Sequence, residues 1–211
     1  MTFASREDAG RKLGDFLRAA AVEADWIVGL PRGGVLVAAE VARALQRPLD
    51  ILIVRKIGHP LQREFAVGAI AEEDVIILDE RVLGPEPSSH AALDKIIAEE
   101  AERLRQYQAK FRPAGRPDFS GRSVMLVDDG VATGATIEAA ALSLKKQNAA
   151  RIIIAAPVAS SGAVERLQRI ADDVKVLLID PDFDAVGRYY ESFSQTTDEE
   201  VLNVLRSLQA H

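Results

Sequence analysis

Ser123-Val124-Met125-Leu126-Val127-Asp128-Asp129-Gly130-Val131-Ala132-Thr133-Gly134-Ala135-Thr136 is the stretch on which the fold turns. Its first five residues form a near-continuous apolar run, the pattern of a strand buried on both faces of a parallel sheet. The run stops at two adjacent acids, and small and hydroxyl residues then lead into a helix expected over Ala135 to Gln147. In doubly wound sheets ligands lie beyond the carboxyl ends of the strands, so this strand-to-helix turn stands at a binding position. Gly130, Ala132, Gly134 and Ala135 let the backbone approach a ligand, and the amides at the helix start are anion donors, joined by the hydroxyls of Thr133 and Thr136. Such a turn suits a terminal phosphate, with Asp128 and Asp129 beside it as acceptors for sugar hydroxyls. Neither GxxxxGK(S/T) nor GxGxxG occurs, so it is not a Walker loop or a dinucleotide fingerprint.

Working outward, the same alternation repeats. Before the stretch, Ser5 and Asp8 cap a helix that runs to about Val22, Trp26-Ile27-Val28-Gly29 reads as a strand, and Val35 to Leu45 as a helix. Leu49 to Val54 is β-branched and reads as one strand that ends in a loop, Arg55 to Pro60. Phe65 to Ala71 and Asp74 to Leu78 read as a hairpin joined by the acidic turn Glu72-Glu73. A break at Pro85 to Ser89 precedes the longest helix, Ala91 to Phe111. After the stretch come a strand, Arg151 to Ala156, a helix, Ser161 to Ala171, a strand, Val174 to Ile179, and a last helix, Asp198 to Leu208, capped by Thr197 and Glu200. Strands alternating with helices mean right-handed crossovers and an α/β fold with a parallel, doubly wound sheet flanked by helices.

The 211 residues suit one domain, residues 1–211, with a small hood built from the segment 180–211. Hydrophobic residues at 48% and charged residues at 27% are ordinary globular usage, which excludes disordered and fibrous classes. The net charge of -6, with pI near 5.2, argues against nucleic acid as a partner. No cysteine is present, so disulfides, thiolate nucleophiles and cysteine metal sites are excluded. The first residues lack the apolar run of a secretory signal, and no stretch reaches the roughly 18 apolar residues of a membrane span, so no membrane and a cytoplasmic location are expected.

Four apolar residues, two acids, three variable residues and Thr-Gly-x-Thr, over Val124 to Thr136, resemble the signature of the type I phosphoribosyltransferases. The resemblance implies a transferase that uses 5-phosphoribosyl-1-pyrophosphate and Mg²⁺ and passes the phosphoribosyl group to a nucleobase-like acceptor with release of pyrophosphate. It implies that Asp128 and Asp129 meet the ribose 2- and 3-hydroxyls and serve the metal through those hydroxyls or water, while Val131, Ala132, Thr133, Gly134, Ala135 and Thr136 bind the 5-phosphate. Leu30-Pro31-Arg32-Gly33-Gly34, which follows a strand, resembles the family's pyrophosphate loop, where a strained peptide is implied. Arg55 and Lys56 stand where the family places bases that neutralise pyrophosphate, with a closing loop, Gly58 to Glu64, beyond them. With Asp128 and Asp129, they are the expected catalytic residues.

The acceptor stays open. Phe183, in the turn-rich segment Asp180 to Tyr190, either stacks on a base in a hood or packs on the core. In 6-oxopurine members an acid stands at the position of Ala132, which points away from hypoxanthine-guanine enzymes and toward adenine or uracil types. A regulator that binds phosphoribosyl pyrophosphate without turning it over is the alternative from another class. The family is commonly dimeric or larger, so a homo-oligomer is expected.

Overall fold

The computed structural model describes residues 1–63, 65–79, 87–113 and 115–209. Along the chain the strands are β1 Trp26–Gly29, β2 Leu49–Ile51, β3 Val54–Gly58, β4 Ala66–Ala71, β5 Val75–Leu78, β6 Ser123–Val127, β7 Arg151–Ser160 and β8 Asp173–Asp180. The helices are α1 Arg6–Ala19, α2 Gly33–Leu45, α3 Pro87–Phe111, α4 Ala135–Lys146, α5 Ser161–Leu167 and α6 Asp198–Gln209, with a single 3-10 turn at Val186–Tyr189. Among the described residues no helix is long and apolar enough to cross a membrane.

The apolar run is the middle strand of a five-stranded, all-parallel sheet ordered β2-β1-β6-β7-β8. Its side chains divide by the strand period of two. Met125 and Val127 enter a core built with α1, α2, α3 and α6, whereas Val124 and Leu126 enter a second core with α4 and α5. Both faces are therefore covered, as the continuous apolar pattern requires. From β1 the chain first moves outward to β2 and later returns on the other side of β1 as β6. The strand order thus reverses between β1 and β6, and the turns after these two strands flank one crevice.

One departure from the sequence reading matters for the site. Leu49 to Val54 is not one strand. The Ile53 amide donates to the buried carboxylate of Glu72 at 2.8 Å, and the chain leaves the main sheet to start β3 in a separate antiparallel sheet, β3-β4-β5. Arg55 and Lys56 consequently lie within a strand, not in the loop after one. The expected hairpin is β4 and β5, but its acidic turn is only half exposed: Glu72 is 1% exposed and Glu73 adopts φ of 62°. The long helix starts at Pro87, inside the expected break; proline is at home in a first helical turn. Pro85 and Glu86 of that break, and Glu64 of the expected closing loop, lie outside the described residues. The capping box at Thr197 and Glu200 is formed in both directions, at 2.7 and 3.2 Å.

The segments around Phe3 and Tyr190 meet beside the crevice. Phe3 forms a parallel bridge with Tyr190, through Phe3 N–H to the Tyr189 carbonyl and Glu191 N–H to the Phe3 carbonyl, each 2.8 Å. Their rings pack with centroids 5.5 Å apart.

Candidate active site

The turn after β6 is fixed to its neighbour before it reaches α4. Val131 bridges Ala159 of β7, and the Ser160 hydroxyl donates to the Ala132 carbonyl at 2.6 Å. Gly134 then takes φ of +80°, which glycine adopts without the Cβ penalty, and serves as the α4 N-cap with no side-chain cap of its own. The Ala135 amide meets the Thr133 hydroxyl at 3.5 Å, and the turn that carries them lines the crevice.

The turn after β1 lies directly across. The Pro31–Arg32 peptide bond is cis, and α2 starts at Gly33. A Cβ on Gly34 would stand 2.7 Å from Asp128 Oδ1 and 2.9 Å from the Asp128 Cα, and one on Gly33 would overlap the Asp129 carboxylate. The paired glycines therefore let the two acids fit at all, a role the sequence did not reveal.

Asp128 accepts the Asp129 amide at 2.9 Å, and Asp129 Oδ2 accepts Arg6 Nε at 2.7 Å. Desolvation pushes the Asp128 carboxyl well above its ordinary range, and the neighbouring Asp129 charge raises it further. Asp129 is also raised by desolvation, against the pull of Arg6. The Tyr190 hydroxyl donates to the Asp129 carbonyl at 2.5 Å, and burial raises its pKa strongly. Two acids held side by side and short of donors make a place for a ligand that brings hydroxyls or a cation.

Around them is a cavity of about 270 Å³. Its floor is Val131, Ala132, Thr133, Gly134 and Thr136; Arg32 and Gly33 come from the opposite turn, and Lys56 arrives from β3. A second cavity of about 410 Å³ adjoins it on the other side of the same turn, between Ala135 and the apolar side chains of Phe65, just before β4, and Val67 and Ile77 of the small sheet. Among the described residues no three His, Cys, Asp or Glu side chains gather as metal ligands.

Two expected site residues are placed elsewhere. Arg55 points away, because neighbours on a strand face opposite sides; its Nε pairs with Glu100 of α3 at 2.9 Å and its guanidinium stands over Tyr107. Phe183 stacks on Tyr189 with centroids 5.2 Å apart, and it is Val186 that reaches the cavity, close against Gly130. Conversely, Arg6, Val186, Tyr190 and Asp198 were not read as site residues. Asp198, on α6, places its Oδ1 3.6 Å from Arg32 and its Oδ2 2.5 Å from Lys110. Nothing local in sequence marks these four, since their partners are remote along the chain.

With this geometry in hand, the model of the phosphoribosyl transferase domain matches residues 5–191. The chain belongs to the phosphoribosyl transferase family. A Mycobacterium tuberculosis protein named "Putative phosphoribosyl transferase" is 41% identical over 204 residues, covering 96% of this chain and 46% of its own length. The chain thus spans about half the length of the curated relatives it matches. The crystal structure of TT1426 from Thermus thermophilus is 41% identical with a TM-score of 0.81, covering 99% of each chain. A Neisseria gonorrhoeae protein solved with bound ppGpp is 12% identical with a TM-score of 0.51 and covers 98% of each chain, a likeness of fold alone. Membership in the family and the parallel doubly wound fold agree with what Val124 to Thr136 implied.

Proposed function

We propose that this phosphoribosyl transferase domain uses 5-phosphoribosyl-1-pyrophosphate and Mg²⁺ to transfer the phosphoribosyl group to a nitrogenous base, releasing pyrophosphate. One observation carries the reading: the acid pair, the uncapped turn at the α4 start and the cationic turn at the α2 start enclose a single cavity. The amides of Ala132 to Thr136 and the hydroxyls of Thr133 and Thr136 would take the 5-phosphate, the Val131 amide being held by the Val158 carbonyl. Asp128 and Asp129 accept from the ribose 2- and 3-hydroxyls. Arg32, the amides of Gly33 and Gly34, and Lys56 face the pyrophosphate, whose charge grows as the C1–oxygen bond breaks and positive charge develops on the ribose ring.

The donor set fits Mg²⁺ of the kind that substrates deliver. Two adjacent carboxylates, with no third ligand gathered among the described residues, do not cage the ion, but Mg²⁺ retains waters and prefers phosphate oxygens plus one or two carboxylates. Asp128 and Asp129 would hold it through ribose hydroxyls or water, and it would neutralise the leaving pyrophosphate. The acceptor comes to the opposite face of C1, on the side of Val186 and the 3-10 turn. Ala132 offers it no carboxylate, which disfavours a 6-oxopurine. Arg55, committed to Glu100, has no part in this scheme.

Calorimetric titration with phosphoribosyl pyrophosphate and Mg²⁺, beside an Asp128→Ala, Asp129→Ala variant, tests the reading, followed by pyrophosphate release over a panel of bases. Binding that the variant loses, with release on one base, is the expected result. Binding without release for any base transfers the assignment to a regulator, and absence of binding removes it.

A further inference from the structure

Arg6 stands apart from the other cations of the site, because it is almost fully enclosed. Its residue is 8% exposed, and each side of its guanidinium has a partner. Nε donates to Asp129 Oδ2 at 2.7 Å, Nη1 donates to the Ser194 carbonyl at 2.7 Å, and the Phe193 ring lies 3.9 Å from Cζ. On the remaining side is Gly33, where an added Cβ would come 2.6 Å from Nε. Long, flexible arginine side chains lose much rotamer freedom when fixed, so full enclosure is costly unless the fixed geometry has a use.

Enclosure also limits what Arg6 can do. A guanidinium bracketed by an aromatic ring, a carbonyl and a backbone turn is not a mobile cation that reaches for a phosphate, and Arg6 is not among the residues lining the cavity. Its ionic bond is to the acid nearest the turn after β1. Tyr190, three residues before Phe193, holds the same acid by its main-chain carbonyl at 2.5 Å. Asp129 is therefore gripped twice from the segment 190–194: by the Tyr190 hydroxyl on its backbone, and through Arg6 on one carboxylate oxygen. One oxygen is occupied, which leaves the other to face the ligand.

We infer that Arg6 is a positioning residue for sugar recognition: seated on Phe193 and Ser194, it takes one oxygen of Asp129 and thereby aims the other at a ribose hydroxyl. The inference rests on the proposed function, because it presumes a ribose at the acid pair. It differs from a plain electrostatic role, in which the buried charge would favour any anion in the cavity alike. Segment 190–194 then contributes to sugar binding without touching the sugar.

The two accounts separate by ligand fragment. Affinities of wild type, Arg6→Gln and Arg6→Lys are measured by calorimetry or competition for phosphoribosyl pyrophosphate with Mg²⁺, for ribose 5-phosphate, and for Mg²⁺-pyrophosphate. In Arg6→Gln, ribose 5-phosphate and phosphoribosyl pyrophosphate weaken by about tenfold, the worth of one charge-assisted hydrogen bond, while Mg²⁺-pyrophosphate stays within about twofold. Arg6→Lys, which keeps a charged donor but not the planar fork, falls between. Should Arg6→Gln fail to fold, Phe193→Leu and Tyr190→Phe carry the test, each expected to show the same split at smaller size. Equal weakening of all three ligands overturns positioning in favour of a general field, and unchanged ribose 5-phosphate affinity in folded variants overturns it outright. Wild-type protein that binds neither ribose ligand overturns the parent reading instead, a result no Arg6 variant can produce.

Discussion

Two pairs of withdrawn carboxylates among the described residues are each attended by an arginine, and they are built to opposite ends. Asp128 and Asp129 share Arg6 at the mouth of the crevice, and only Asp129 is bonded to it. Asp50 and Glu72 share Arg112, which is bonded to both, at 3.3 Å to Asp50 and in still closer contact with Glu72. In the second pair, Glu72 also receives the Ile53 amide, and the residues are 4% and 1% exposed. That network ties the end of α3 to β2 and to the β4–β5 turn. The first pair is left short of donors and open to a cavity. An arginine bonded to both acids ties elements together; one bonded to half of a pair leaves a site.

The comparison breaks first at Arg112. Arg112→Met should cost about 3–5 kcal/mol in urea unfolding, because two buried carboxylates lose the cation they share, while the ligand affinity of the folded fraction changes little. A loss under about 1 kcal/mol would show that the acids there are already neutral. Next, Asp128→Asn with Asp129→Asn should weaken phosphoribosyl pyrophosphate binding by about a hundredfold, the loss of charged acceptors for ribose hydroxyls. Asp128→Asn alone should raise the thermal midpoint at neutral pH, since it removes a desolvated charge that Asp129 repels and leaves the Arg6–Asp129 pair intact. A lowered midpoint would place this pair with the structural one.

Asp50 sharpens the contrast through pH. Burial raises its pKa from 3.8 to about 6, against the opposing pull of Arg112, so the folded state holds this proton more tightly than the unfolded chain. Its contribution to stability is therefore full below about pH 3.8 and is lost as pH rises through about 6. Asp50→Asn should leave stability unchanged at the acid end and raise it above pH 6, which unfolding midpoints between pH 3.5 and 7.5, on the order of these pKa values, would record. The smallest effect concerns glycines. Gly34→Ala should destabilise by about 1–3 kcal/mol and reduce ligand binding, since its Cβ meets Asp128, whereas Gly162→Ala, with nothing within 4 Å, should change stability by less than about 1 kcal/mol.

How much of this was legible follows from distance along the chain. Val124 to Thr136 carries strand, acids and phosphate turn contiguously, so periodicity and residue type disclose both the fold and the floor of the site. Arg6 and Asp129 are 123 residues apart, and Arg112 and Glu72 are 40 apart, so no local pattern pairs them. Glu72-Glu73 has the composition of an exposed turn, and the distant Arg112, with the Ile53 amide, offsets the burial of Glu72. Leu49 to Val54 is almost uniformly aliphatic, and the point where the chain changes sheets is marked by Glu72 taking the Ile53 amide. Once that change is known, strand alternation separates Lys56, which reaches the site, from Arg55, which does not.

The bridge between Phe3 and Tyr190 has a bearing on how the protein comes into being. During synthesis the central sheet can assemble as soon as β8 has emerged, yet Asp129 then lacks the Tyr190 hydroxyl, and Arg6 lacks both its ring and its carbonyl partner. The nascent chain thus passes through a stage in which the framework exists and the binding centre does not. Completion of the site therefore waits until residues far apart in the order of synthesis have joined.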